Sequence, residues 1–231
     1  MERNVTSKII KYKDIEAEVR EGTSDEFVVR EVFSGEYNKL QIKPDDIVID
    51  FGLNIGMFTT FALKKGAALV HGYEPDVDNY NLACKNVEMN ISDTSKYVLH
   101  NEAVVGNDDM TRDFSINVKK NKGAHSLVAK KGRDVVKVNC TNINYVFETV
   151  QPTVVKMDIE GGELECLPAI NSWHNVREFI MEFHHAHLND LKTHEKYNDT
   201  LNLLRKEFSL VQAREDTKGA WVNIVYCRKD V

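Results

Sequence analysis

The side chains able to do chemistry in this chain gather at the ends of apolar runs. Asp50 closes Ile47-Val48-Ile49, a β-branched run suited to a strand buried on both faces. It also opens a tight turn, Asp50-Phe51-Gly52-Leu53-Asn54-Ile55-Gly56, in which Gly52 and Gly56 let the backbone bend sharply and let a ligand approach it. The next run, Leu69 to Tyr73, ends on Glu74-Pro75-Asp76. In a nucleotide-binding sheet a carboxylate at that place hydrogen-bonds ribose hydroxyls. Asp158 ends a third run, Thr153 to Met157, and Glu182 and His184 end a fourth that begins near Val176.

The turn is not a dinucleotide fingerprint, because it lacks the G-x-G-x-x-G order. Asp50 directly before it would repel a pyrophosphate and would suit an ammonium. S-adenosylmethionine carries an ammonium, a sulfonium and a ribose and no phosphate, so the turn reads as a methyl-donor site. Methyl transfer to oxygen needs an acceptor hydroxyl in line with the donor and a group to take its proton. Asp158 is the first candidate, as base, as acceptor-orienting group, or as ligand with Glu160 or Glu182 to a divalent cation such as Mg²⁺ or Mn²⁺. It could equally cap the helix that follows, and Glu163 could serve the dipole of that helix. His184 is a candidate general base because an imidazole titrates near working pH, with Glu182 holding the ring or a metal. His184-His185-x-His187 invites a zinc reading, but no cysteine or fourth ligand lies at a familiar spacing.

Three motifs in this order, Asp50-x-Gly52-x-Asn54-x-Gly56, Glu74-Pro75-Asp76 and Lys156-Met157-Asp158-Ile159-Glu160-Gly161-Gly162-Glu163, resemble the FkbM-type family of S-adenosylmethionine-dependent O-methyltransferases. The resemblance covers roughly residues 25 to 185. It implies a class I, Rossmann-like α/β fold: a seven-stranded, mostly parallel sheet with helices on both faces. It implies S-adenosylmethionine as cofactor, held by Asp50, Gly52, Asn54, Gly56, Glu74, Pro75 and Asp76. Asn101, Glu102 and Ala103 would border the adenine, Tyr37 would cover the methionine end, and Asp158 would face the methyl group. The acceptor it implies is a hydroxyl on a sugar, a glycan or a glycosylated small molecule.

The elements that must position these groups follow from patterning. Residues 8 to 19 alternate as a hairpin, and Glu26 to Phe33 form a short helix stopped at Gly35. This piece, residues 1–40, is read as an N-terminal extension, and 41–231 as one compact methyltransferase domain. Val77 to Asn90 reads as a helix, Tyr97 to His100 as the third strand, Val135 to Cys140 as a strand and Asn144 to Val150 as a helix. Leu188 to Lys206 is a long amphipathic helix, and Phe208 to Ala213 with Trp221 to Cys227 close the sheet. Residues 106 to 134 carry only a short strand near Phe114-Ser115-Ile116 and read as a functional or mobile loop, with His125 either a contact to substrate or cofactor or, on the plainer reading, a solvated loop histidine.

A net charge of −6 gives no overall basic field for nucleic acid, although Lys119, Lys120, Lys122, Lys130, Lys131 and Arg133 crowd one stretch. No apolar run is long enough to span a membrane. Cys84, Cys140, Cys166 and Cys227 are scattered and suit reduced thiols in a cytoplasmic protein. Three rivals stand beside the O-methyltransferase reading. A ribose 2′-O-methyltransferase would use a pKa-depressed Lys156 with Asp158 and Glu182, whereas the plain reading of Lys156 is a packed stem with a solvated tip. An NAD(H)-dependent oxidoreductase would need the missing pyrophosphate turn. A cofactor-binding module without activity would bind the donor and transfer nothing.

Overall fold

In the computed structural model the described residues are 6–116, 125–127, 133–184, 191–215 and 222–230. Calls of the sequence on Lys119, Lys120, Lys122, Lys130, Lys131, His185 and His187 lie outside them. The chain opens with a hairpin, β1 (Ser7–Tyr12) and β2 (Ile15–Arg20). The helix α1 (Asp25–Glu31) follows and continues into a π-helical turn, Val32–Glu36, where Gly35 takes φ 127°. Then come β3 (Ile47–Phe51), α2 (Met57–Lys64), β4 (Leu69–Tyr73), α3 (Val77–Asn90) and β5 (Tyr97–His100). A second group is β6 (Ala103–Val105), β7 (Thr111–Ile116), β8 (Asp134–Asn142) and α4 (Ile143–Val150). The chain closes with β9 (Val154–Met157), α5 (Glu163–Ala169), β10 (Glu178–His184), α6 (Leu191–Glu207), β11 (Leu210–Glu215) and β12 (Val222–Arg228).

The central sheet has seven strands in the order β11-β12-β10-β9-β3-β4-β5. The ladders from β10 through β5 are parallel, and β12 runs antiparallel to both β10 and β11. This is the class I methyltransferase architecture that the motifs imply. Strand order reverses between β3 and β9, so the cleft beyond their carboxyl ends is where a ligand binds in such a sheet.

Alternation explains why the polar groups collect there. Val48, Val154 and Ile180 pack in one core layer with the hairpin and helices α1 and α2. Two residues further along each strand, on the same face, stand Asp50, Lys156 and Glu182. Asp158 and His184 come two residues after that. The other face carries Phe51, Met157, Phe179 and Phe183 against Phe147, Trp173 and Leu204, a second apolar layer. On this face β3 and β9 are apolar at the start and polar at the carboxyl end, while β10 carries Ile180 between Glu178 and Glu182.

The N-terminal hairpin is held by two asparagines four residues apart on α3. Asn86 Oδ1 accepts the Glu18 N–H at 2.7 Å and its Nδ2 donates to the Ile55 carbonyl at 3.1 Å, while Asn90 Oδ1 accepts the Glu16 N–H at 3.1 Å. Ile15, Ala17 and Val19 of β2 join the same apolar layer as Val48 and Val70.

One stretch differs from its sequence reading. The short strand read near Phe114 runs over Thr111–Ile116, and with the expected strand at 134–142 and the unexpected β6 it forms a three-stranded annex, β6-β8-β7, with its own small core of Ala103, Val105, Phe114, Val138 and Cys140. The strand β6 escapes a periodicity search because its three residues, Ala-Val-Val, are buried on both sides.

Candidate active site

The turn after β3 is fixed from three sides. Gly52 and Leu53 donate to the Tyr73 carbonyl at 3.1 and 2.9 Å, and Asp158 donates its N–H to the Phe51 carbonyl at 2.9 Å. Gly52 sits at φ 84°, and a Cβ there would lie 1.8 Å from the Asp158 carbonyl oxygen. The glycine is thus required by the crossing of two turns. Gly52→Ala is expected to destabilise the fold by about 3–5 kcal/mol, read by chemical denaturation. Gly56, at φ 85°, faces Ala83 and Val87 of α3, so its missing side chain admits a helix and not a ligand. Asn54 gives its N–H to Glu74 Oε2 at 2.8 Å. Neither Asn54 nor Gly56 is among the residues that line the cleft at Glu74.

Glu74 is buried and holds two backbone N–H groups, that of Asn54 and, at 2.9 Å, that of Asp76. Burial is the main cause that pushes its pKa up to about 8, with the two N–H bonds opposing. It lines a cleft of about 480 Å³ together with Gly52, Pro75, Glu102, Ala103 and Asp158. The remaining walls are Tyr73, Val104, Phe114, His125, Leu127, Ile159, Glu160 and Gly162. Among the described residues four carboxylates and no lysine or arginine face this space. Asn101 lies just outside it, tying the Glu74 and Pro75 carbonyls at 2.8 and 3.2 Å. Asp76 caps α3 by accepting the Asn79 N–H at 2.8 Å.

Phe114, Leu127 and Ile159 are wall residues that the sequence did not single out. They come from the annex and from the acidic turn, and only the tertiary fold brings them to Glu74. The solvated reading of His125 is corrected: its ring is 4% exposed, packs on Phe114 and sits 3.7 Å from Asp76. The segment 125–127 is pinned by Ser126, which exchanges backbone bonds with Ser115 and donates its hydroxyl to the Glu160 carbonyl at 2.6 Å.

Asp50 does not open onto that cleft. Its carboxylate is fully buried, accepts the Thr59 hydroxyl at 2.8 Å, and meets the protein's own ammonium, Lys156 Nζ, at 3.2 Å. The two residues are register partners on adjacent parallel strands, which brings them together. The solvated tip expected of Lys156 is likewise corrected. The residue is 4% exposed, and its ammonium donates to the Gly52 carbonyl at 2.7 Å and lies 3.8 Å from Asp158. Burial alone would lower its pKa, but Asp50, Asp158 and Glu182 together raise it above the ordinary lysine value. Lys156 is therefore a fixed cation, the opposite of the depressed lysine that a ribose 2′-O-methyltransferase mechanism requires.

His184 differs from its expected role for the same reason. Its Nδ1 lies 3.2 Å from Glu163, and its Nε2 lies 3.8 Å from Asp158 and 3.7 Å from Glu160. Burial opposes the charged ring, but the Glu163 hydrogen bond and the three carboxylates win and push its pKa up to about 10. Near neutral pH it is an imidazolium and holds no lone pair for a proton. Because the folded pKa is raised, its stabilisation is complete below pH about 6.5 and disappears as pH rises through about 10. His184→Ala should accordingly lower the melting temperature more at pH 6 than at pH 10. An equal loss at both would contradict the imidazolium. Glu163, buried and accepting the N–H groups of Ile159 at 3.0 Å and Gly161 at 2.9 Å, anchors the turn and this ring together.

Glu182 stands beside Asp158, whose charge, with burial, raises its pKa well above the usual carboxylate range. It faces a smaller cavity of about 190 Å³ with Tyr37, Lys156 and Ile180. Tyr37 is buried and packs edge-on against Phe58 at 4.8 Å, walling this second cavity and not the cleft at Glu74. As for a metal, the atoms that converge within 4.8 Å are those of Asp158, Glu160 and His184, and Glu182 is not among them.

Comparison with known proteins agrees with this geometry. A profile of the methyltransferase FkbM domain matches residues 50–209. The chain is similar to the crystal structure of methyltransferase FkbM from Methylobacillus flagellatus KT, with TM-score 0.51 and 21% identity, covering 82% of this chain and 45% of that one. It is also similar to M. jannaschii TYW2 in complex with AdoMet, with TM-score 0.54 and 14% identity over 99% of this chain and 88% of that one. At these identities the two structures show the fold alone. A curated relative, NADH-quinone oxidoreductase subunit M of Buchnera aphidicola, is 34% identical over 82 residues, 35% of this chain and 16% of that protein. The chain thus spans less than half of the Methylobacillus structure and a small fraction of the curated relative. Among the described residues no helix is long and apolar enough to cross a membrane. The profile match takes in more than half of the sequence, and the chain belongs to the FkbM methyltransferase domain family.

Proposed function

We propose that this chain is an S-adenosylmethionine-dependent O-methyltransferase acting on a hydroxyl of a sugar, a glycan or a glycosylated small molecule. The observation that carries the reading is the cleft at Glu74, whose described lining holds Glu74, Glu102, Asp158 and Glu160 and no lysine or arginine. A nucleoside with a cationic tail suits those walls, and a pyrophosphate would be repelled by them. The same observation disfavours the NAD(H) reading. Glu74 would accept the ribose hydroxyls, while Pro75, Ala103, Phe114, Leu127 and Ile159 would enclose the base. Asp50 acts from behind, through Lys156 and the Gly52 carbonyl.

Bound there, S-adenosylmethionine supplies a methyl group on a sulfonium that departs as a neutral thioether. Asp158 lines the cleft on one side and stands between Lys156 and His184, each 3.8 Å away. It takes the proton of the acceptor hydroxyl as the new C–O bond forms. His184 and Lys156 position that carboxylate and stay charged throughout. Glu182, beside Asp158, hydrogen-bonds the acceptor. No step of this scheme needs a divalent cation.

The test is a transfer assay with methyl-labelled S-adenosylmethionine and a panel of glycosides and amines. The expected product is a base-stable methyl ether. Label recovered only on nitrogen or carbon would contradict O-methylation, and binding without any transfer would favour a non-catalytic module.

A further inference from the structure

The acidic turn that carries Asp158 is strained, and it is held from two sides. Glu160 stands at φ 54°, a left-handed conformation that residues with a side chain rarely adopt, and Gly161 follows at φ 106°. A non-glycine residue stays in that region only where its surroundings fix it. From the sheet side, Asp158 donates its N–H to the Phe51 carbonyl at 2.9 Å, and Glu163 accepts the N–H groups of Ile159 and Gly161 at 3.0 and 2.9 Å. From the annex side comes Ser126, a buried residue whose hydroxyl donates to the Glu160 carbonyl at 2.6 Å. The tie falls on the residue whose backbone is strained.

The anchorage of Ser126 gives that tie a second role. Its backbone exchanges hydrogen bonds with Ser115 of β7, at 2.8 and 3.1 Å, which seats it next to Phe114. His125 and Leu127, the residues on either side of it, line the cleft at Glu74 together with Phe114, while Asp158, Ile159 and Glu160 line it from the turn. The His125 ring packs on Phe114 and lies 3.7 Å from Asp76, close to Glu74 and Pro75. One short segment thus meets the proposed nucleoside space with two side chains and grips the turn of Asp158 with the third.

Resting on the O-methyltransferase reading, we propose that Ser126 is a positioning residue that couples donor binding to the placement of Asp158. A nucleoside lodged between Pro75 and the side chains of Phe114, His125 and Leu127 holds the segment 125–127 in place, and with it the Ser126 hydroxyl on Glu160. The fixed Glu160 carbonyl keeps the left-handed turn, and the turn aims the Asp158 carboxylate at the acceptor hydroxyl. Ser126 touches neither substrate nor reacting atom and acts only through the backbone of the turn. The coupling is reciprocal, so the tie also returns a small share of affinity to the donor. Placement matters because an error of about 1 Å can cost about 100-fold in rate.

The test is amide hydrogen–deuterium exchange on the unmodified protein and on Ser126→Ala, each with and without saturating S-adenosylhomocysteine. In the unmodified protein the ligand is expected to slow exchange both at residues 74–79 and at residues 158–163. In Ser126→Ala the slowing at 74–79 should persist, while bound-state exchange at 158–163 should run about tenfold faster than in the unmodified protein. Calorimetry should show S-adenosylhomocysteine affinity falling only about threefold. With an acceptor from the transfer assay, kcat of the variant should fall by about 10- to 100-fold, more than the donor affinity does. Equal exchange at 158–163 in the two bound proteins, or an unchanged kcat, overturns the inference. A variant that melts lower and loses the slowing at 74–79 as well also overturns it, since Ser126 would then only support the fold. Failure of S-adenosylhomocysteine to slow exchange anywhere in the unmodified protein would instead remove the parent reading.

Discussion

Replacing Glu74 by alanine is expected to weaken S-adenosylhomocysteine binding by about 100-fold or more, measured by calorimetry. Two losses combine. The ribose hydroxyls lose a buried hydrogen-bonding partner, and leaving such a bond unmade costs about 1–3 kcal/mol. The Asn54 and Asp76 N–H groups, held at 2.8 and 2.9 Å, lose the group that fixes the turn and the start of α3. Glu74→Gln should rescue little, because its amide NH₂ would confront one of those two donors. A Glu74→Ala protein that melts normally and binds as tightly as the parent would show that the ligand lies elsewhere.

The second large effect is expected at Asp158. Asp158→Asn should lower kcat by about 100- to 10,000-fold, the range that general-base catalysis contributes. The amide keeps the shape of the carboxylate, and the backbone N–H that bonds Phe51 is untouched. S-adenosylhomocysteine affinity should therefore stay close to that of the parent. This split separates the two roles that the sequence left open for Asp158. If the side chain only supports the acidic turn, the melting temperature would fall and kcat would not. The pH–rate profile carries a companion expectation. With His184 titrating near about 10, kcat should show no rise around pH 6.5 that His184→Gln removes.

Much of this was legible in the residues because strands report themselves locally. Val48-Ile49-Asp50, Leu69 to Tyr73 and Val154 to Met157 are apolar runs ending in an acid, and each is the strand its pattern indicated. Their order along the chain led to the seven-stranded sheet. The ionic partners were hidden because pairing depends on register between strands distant in sequence. Asp50 and Lys156 are opposite charges in two otherwise apolar runs, and that mismatch was the available sign that they neutralise each other. Reading each alone sent Asp50 to a ligand's ammonium and Lys156 to solvent. His184 was misjudged in the same way, since its three carboxylate neighbours come from a turn some twenty residues earlier. The annex was legible only as separate strands near Phe114 and over Val135 to Cys140, because β6 has only three residues and because β8 pairs with β6 and β7 across long separations. It supplies Phe114 and, with the segment 125–127, half of the apolar enclosure of the cleft.

The most direct test of the central claim is calorimetric titration of the unmodified protein with S-adenosylhomocysteine, alongside NADH under the same conditions. The account predicts single-site binding of S-adenosylhomocysteine in the micromolar range and no binding of NADH, because the described walls of the cleft present carboxylates and no basic side chain to a pyrophosphate. NADH binding that excludes S-adenosylhomocysteine, or binding of neither, would contradict it.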